Sequence, residues 1–183
     1  TKYILASLQE SGLDIKPDHV RSIIRKGLLK YNSDAPIVLY HLGSGSPKKN
    51  LDLSIWLKIK QSLGTMFPDK KHLFVIGPDE AETKEKIKLM FPTEELFYSH
   101  SLEQLTDLLQ KTYLYVGHDS GPTHYSALLG IPTLALFRWS SVKIWRPLGR
   151  AVKVLRLLPR IDPLKAIPKT VSKFFQGSSF ILP

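Results

Sequence analysis

Between two apolar runs, Val116 to Phe137 reads VGHDSGPTHYSALLGIPTLALF and gathers an acid, two histidines and several small or hydroxyl residues. After a turn over Gly117 to Gly121, PTHYSALLG predicts a short helix with Pro122 in its first turn, where proline's missing N–H costs little. Ser120, Gly121 and Thr123 are then expected to expose backbone N–H groups at the positive end of that helix, with His124 on its first turn. Such a terminus suits a phosphate. A second loop, HLGSGSPKKNLDL from His41, follows another apolar run. Its glycines and serines, Ser44 among them, let N–H groups turn toward an anion, and Lys48 and Lys49 follow. Each feature alone has a plainer reading, an ordinary polar turn for the first loop and a capping or core histidine for His124. Together the two loops point to a diphosphate.

Other chemistries fit these residues less well. The G-x-x-x-x-G-K-[ST] of a Walker loop is absent, and Gly43 and Gly45 have no third glycine at Lys48 to complete G-x-G-x-x-G. Ser120 lies in G-x-x-S-G and not in the G-x-S-x-G of a hydrolase elbow. His118, Asp119 and His124 all precede or open one helix, with no carboxylate four residues from His124, so no metal site is expected and no cofactor is called for.

The elements that must position the loops alternate. IVLYH (37–41), HLFVI (72–76), YLYV (113–116), TLALF (133–137) and AVKVL (151–155) are short, β-rich and bounded by Gly, Pro or Asp, which predicts strands buried on both faces. Helices are expected between them over 53–64, 80–91 and 101–111, the first with Ile55, Trp56, Ile59 and Leu63 on one stripe. Ser101 followed by Gln104 suits a capping box, and Gly64 and Gly130 suit helix C-caps. The fold class is therefore α/β, a Rossmann-like parallel sheet with helices on both faces and right-handed crossovers. In such sheets ligands sit beyond the carboxyl ends of the strands. Residues 1–31 read as one or two helices without a strand, and 158–183 as a loop with a closing helix from about Pro168 to Gln176.

Composition bounds the rest. The 183 residues are 43% hydrophobic and 23% charged, enough for one substantial core. No run approaches the ~20 apolar residues that cross a bilayer, and the opening TKYILASLQESG lacks the zones of a secretory signal. Cysteine is absent, which excludes disulfides and thiolate metal sites and fits a reducing cytoplasm. The net charge of +10 favours anionic partners: phosphates, or an anionic membrane touched peripherally, as at an inner membrane. The lysines come in short groups without the aromatic and glycine signature of an RNA-binding sheet, so no nucleic acid is expected as a partner.

HLGSGSPKKN, VIGPDE, SLEQLTDLLQKTYLYVGHDSGPTHYSALLGIPTLALF and IWRPLG, in that order, closely resemble the C-terminal half of glycosyltransferase family 9, the ADP-heptose:lipopolysaccharide heptosyltransferases and their relatives. The resemblance runs from about Ile37 to Leu155. It implies the nucleotide-sugar-binding half of a GT-B enzyme that inverts the anomeric centre without a bound metal. By the same resemblance, Ser44 and Lys49 match the first loop's small or hydroxyl residue and phosphate-binding lysine. Glu80 matches an acid associated with the ribose, and His100 lies where the family sets a residue against the base. Asp119, Ser120, Gly121 and His124 match the D-[ST]-G-x-x-H signature around the pyrophosphate and sugar, with Asp119 expected to accept from loop N–H groups and His124 to donate to a phosphate oxygen.

The chain also departs from the family pattern. Leu42 stands where proline is usual, and Leu51 where a tryptophan is common. Arg138 and Trp139 replace the beginning of a Gly-Pro-Thr sequence and are expected to reshape or partly fill the sugar-facing edge. The resulting organisation is a linker or N-terminal-domain remnant over 1–31, a nucleotide-sugar-binding domain over 32–157 and a C-terminal loop and helix over 158–183. A lipid-linked saccharide acceptor and the catalytic base would belong to an N-terminal domain outside this chain, so no catalytic residue is named within it; the alternative reading is a noncatalytic nucleotide-binding or scaffold fragment derived from that family.

Overall fold

The computed structural model describes residues 16–176. The expectations for residues 1–15 and 177–183 lie outside the described residues. Six strands form one sheet: β1 (Ile37–His41), β2 (Lys71–Ile76), β3 (Leu96–Tyr98), β4 (Thr112–His118), β5 (Thr133–Phe137) and β6 (Val152–Arg156). Their order is β3-β2-β1-β4-β5-β6, and every adjacent pair is parallel. This is the Rossmann-like α/β fold expected from the alternating runs. Strand order reverses between β1 and β4, and ligand crevices open beyond the strand ends at such a reversal. The two polar loops follow those two strands.

Alternating side chains serve the two faces. Val38 and Tyr40 of β1, Leu114 and Val116 of β4, and Leu134 and Leu136 of β5 meet Trp56, Ile59 and Leu63 of α2 (Leu53–Met66) and Ile167 and Val171 of α7 (Pro163–Gln176). Ile37, Leu39 and Tyr115 turn the other way, onto Leu105, Leu108 and Leu109 of α4 (Leu102–Gln110) and Leu129 of α5 (Gly121–Leu129). The remaining described helices are α1 (Pro17–Lys26), α3 (Ala81–Met90) and the single turn α6 (Val142–Trp145). Among the described residues no helix is long and apolar enough to cross a membrane.

The boundaries differ from the sequence expectation at four places. The three-residue edge strand β3 lies in a stretch read as connection, because three half-buried residues leave no periodic signal. Gly64 lies inside α2, which ends instead at Met66 with Phe67, the residue before Pro68, as its C-cap. Helix α7 starts at Pro163 and carries Pro168 in its interior. At α4 the Ser101 hydroxyl accepts from Gln104 N–H at 3.3 Å as a cap, whereas the Gln104 side chain accepts from His100 N–H at 2.9 Å and not from Ser101. Gly130 does cap α5, in the left-handed region at φ 92. A Cβ on Gly27 would stand 2.8 Å from the Gly130 Cα, so the two glycines let the segment after α1 lie against the end of α5.

Candidate functional site

His41 ends β1, and the chain then runs through Gly43, Ser44 and Gly45 to a 3-10 turn at Pro47–Lys49. Ser44 Oγ lies 2.7 Å from Asn50 Oδ1, which closes the loop on itself. Beyond β4, Asp119 follows His118, and Ser120 is the N-cap of α5 in an extended conformation. Its hydroxyl makes no cap bond; it sits 3.4 Å from His41 Nδ1 and 3.2 Å from Thr123 Oγ1. Thr123 N–H is not exposed as expected, because it donates to Ser120 C=O at 3.1 Å and the residue is fully buried. Pro122 has no N–H to offer. Among the described residues, the N–H groups of Ser120 and Gly121 are the two left without an acceptor at this helix start.

Lys49 and Asp119 meet across the crevice, Nζ to Oδ2 at 3.1 Å, and His124 Nε2 approaches the other carboxylate oxygen at 3.4 Å. Asp119 is thus held by two side chains rather than by the loop N–H groups the sequence suggested. Its carboxylate is 8% exposed, whereas the His124 ring is 33% exposed and so is not a core residue; the N-cap of the helix is Ser120.

Glu80, at the end of a 3-10 turn after β2, folds back over Gly43, where a Cβ would stand 1.3 Å from Oε1. Its Oε2 accepts from Gly77 N–H at 2.7 Å and lies 3.2 Å from His41 Nε2. Burial opposes ionisation of this carboxyl, but the bond and charge of His41 and the Gly77 N–H outweigh it and hold Glu80 below the usual carboxylate range. Oε1 is buried without a partner. His41 therefore joins the Glu80 turn to Ser120, a role that no local motif announced; its position at the end of β1, beside the strand reversal, was the signal.

Two adjoining cavities result. One, of about 310 Å³, is lined by Ser44, Gly45, Glu80, Ser120 and Gly121. The other, of about 300 Å³, has apolar walls from Val75, Leu102 and Leu105 and a polar edge from Ser99, His100 and Ser101. His41, Gly77, Pro78 and Pro122 border both. The His100 ring stands edge-on to Tyr98 with centroids 4.4 Å apart. Of the eight expected residues, Ser44, Glu80, Ser120 and Gly121 line the first cavity, His100 lines the second, and Lys49 and His124 meet on Asp119 next to Ser120. Arg138 and Trp139 fill neither cavity: Arg138 turns to donate to Asn50 C=O, and Trp139 is 69% exposed. No group of three or more His, Asp or Glu among the described residues is placed to hold a metal ion.

A 3-2-1-4-5-6 parallel sheet with a polar crevice at its strand reversal defines a Rossmann-like domain. The chain matches glycosyltransferase family 9 (heptosyltransferase) over residues 27–170 and belongs to that family. Among solved structures it is similar to the E. coli ADP-heptose lipopolysaccharide heptosyltransferase II at 19% identity and a TM-score of 0.63, covering 93% of this chain and 53% of that one. The E. coli heptosyltransferase WaaC with ADP aligns at 17% identity and TM-score 0.59, covering 87% and 47%. A glycosyl transferase family 9 structure from Veillonella parvula DSM 2008 aligns at 20% and 0.58, covering 69% and 36%. The chain therefore spans about half the length of these structures or less. No curated protein matches it in sequence.

Proposed function

We propose that this domain binds the nucleoside-diphospho-sugar donor of an inverting glycosyltransferase, with ADP-heptose as the first candidate and lipopolysaccharide core or a related glycan as the product. The observation that carries this reading is the adjacency of the two cavities. An apolar slot edged by His100 suits a base, and the neighbouring space ends at the two unpaired N–H groups of Ser120 and Gly121, with Lys49 beside it. Glu80, which lines the first cavity, is the acid that would meet a ribose hydroxyl. WaaC solved with ADP and with ADP-2-deoxy-2-fluoro heptose supports an adenine donor within the family.

Both carboxylates at the crevice are already paired, Asp119 with Lys49 and His124, and Glu80 with His41. Neither is free to deprotonate an acceptor, which supports a base and a lipid-linked saccharide acceptor site on a separate domain. The reading places the enzyme in the cytoplasm, with its basic surface allowing peripheral contact with the anionic inner membrane.

Titration of the chain with ADP tests the reading. A dissociation constant on the order of 0.1 to 1 mM is expected for a site contributed by one domain. Adenosine should bind more weakly than ADP, because the diphosphate supplies the charge-assisted bonds. Equal affinity for the two, or no binding of either, would count against a diphosphate site.

A further inference from the structure

The loop that carries Lys49 has little regular structure of its own. One 3-10 turn closes through Lys49 N–H to Ser46 C=O and Asn50 N–H to Pro47 C=O, both at 3.0 Å, and α2 begins only at Leu53. The intervening backbone is nevertheless fixed from two other strand ends. His118, the last residue of β4, accepts from Leu51 N–H through Nε2 at 3.0 Å. Arg138, immediately after β5, donates from Nη1 to Asn50 C=O. We propose that His118 and Arg138 are positioning residues: they clamp the Asn50–Leu51 backbone from the ends of β4 and β5 and thereby hold Lys49 where it meets the diphosphate.

The inference rests on the donor-site reading above. His118 is fully buried and so acts on a ligand only through what it holds. Trp56 stands edge-on to its ring, with centroids 5.3 Å apart, which fixes the rotation of the imidazole. Accepting from Leu51 requires an unprotonated Nε2, so the ring carries its proton on Nδ1. The surroundings enforce that neutral form. Burial first, then the nearby His41 and Arg138, push the His118 pKa down to about 3 against the opposing pull of Asp119. The clamp therefore stays engaged throughout the physiological range.

Within the loop itself, Ser44 Oγ holds the Asn50 side chain. Lysine is a flexible point charge, and fixing the backbone that bears it lowers the ordering cost of each contact it makes. Arg138 thus serves the phosphate loop from the position at which the sequence suggested obstruction.

The test uses His118→Leu, His118→Gln and Arg138→Met, with ADP and adenosine affinities read by ligand-detected NMR. His118→Leu and Arg138→Met should each weaken ADP roughly tenfold, the effect of leaving a buried backbone group unpaired in the loop. Adenosine should stay within about twofold, because its cavity lies on the other side of Pro78 and Pro122. His118→Gln, whose amide oxygen can take the Leu51 N–H, should recover most of the ADP affinity. Parallel losses for adenosine, unchanged ADP binding in the folded variants, or a glutamine variant no better than leucine would each overturn the clamp. If the native chain shows no preference for ADP over adenosine, the donor reading fails instead, and hydrogen exchange at the Leu51 amide still decides the clamp. That amide should be protected in the native chain and in His118→Gln and exchange faster in His118→Leu; equal exchange in all three would contradict the clamp.

Discussion

Lys49→Ala should weaken ADP binding by about 3 kcal/mol, the upper end of the range for losing a charge-assisted bond. Two effects add. The first is loss of the ammonium that would meet a phosphate oxygen. The second is what remains, for Asp119 is 8% exposed and loses the cation 3.1 Å from its Oδ2. An unneutralised carboxylate beside a diphosphate repels it by a few kcal/mol, since two unit charges about 4 Å apart interact with about 4 kcal/mol at an effective dielectric of about 20. His124, 3.4 Å away on the other oxygen, offsets that charge only in part. The double variant Lys49→Ala/Asp119→Asn should therefore bind ADP more tightly than Lys49→Ala alone. Calorimetry on the three proteins checks this; identical binding by Lys49→Ala and the native chain would remove the lysine from the site.

The largest expected effect on stability belongs to Trp56. It is 1% exposed, packs edge-on against Tyr40 and His118, and ties α2 to the centre of the sheet. Trp56→Ala should cost about 3 to 5 kcal/mol, the range for emptying a large aromatic site. For a chain of this size that corresponds to a fall in melting temperature of roughly 6 to 20 °C. Its indole N–H is buried without a partner, so Trp56→Phe removes an unpaired donor along with some volume and should cost clearly less. Thermal melts of the two variants settle the ranking, and equal losses would show that ring volume alone does not set the cost. Because the ring also braces His118, Trp56→Ala should speed exchange of the Leu51 amide.

Most of the sheet was legible because β1, β2, β4 and β5 are largely buried and read as short continuous apolar runs; β6, expected to be buried on both faces, is instead an edge strand with no fully buried residue. β1 and β5 are buried at all five positions, and such runs need no alternation to be seen. β3 escaped because an edge strand of three half-buried residues contrasts with nothing around it. The prolines and glycines misled where local rules met tertiary context. Pro163 opens α7 at a position that tolerates proline, so Pro168 was mistaken for the start. Gly64 stands inside α2, where packing of Trp56, Ile59 and Leu63 outweighs a cost of about 1 kcal/mol.

At the crevice the loops themselves were legible, because Gly, Ser, Lys and Pro at strand ends have few other uses. The pairings within them were not. Lys49 meets Asp119 across 70 residues, Leu51 meets His118 across 67, and Asn50 meets Arg138 across 88. Each contact joins strand ends that come near one another only once the order β1-β4-β5 is set, so sequence spacing carries no trace of them. For the same reason Asp119 was assigned loop N–H partners close in sequence, whereas the fold delivers an ammonium from a distant loop.

A crystal structure of the chain grown with ADP tests the central claim most directly. The diphosphate should lie within hydrogen-bond distance of the Ser120 and Gly121 N–H groups and of Lys49 Nζ, with the ribose beside Glu80. The adenine should occupy the slot walled by Leu102 and Leu105, against His100. A nucleotide bound elsewhere, or bound with its phosphates away from the start of α5, would contradict the account.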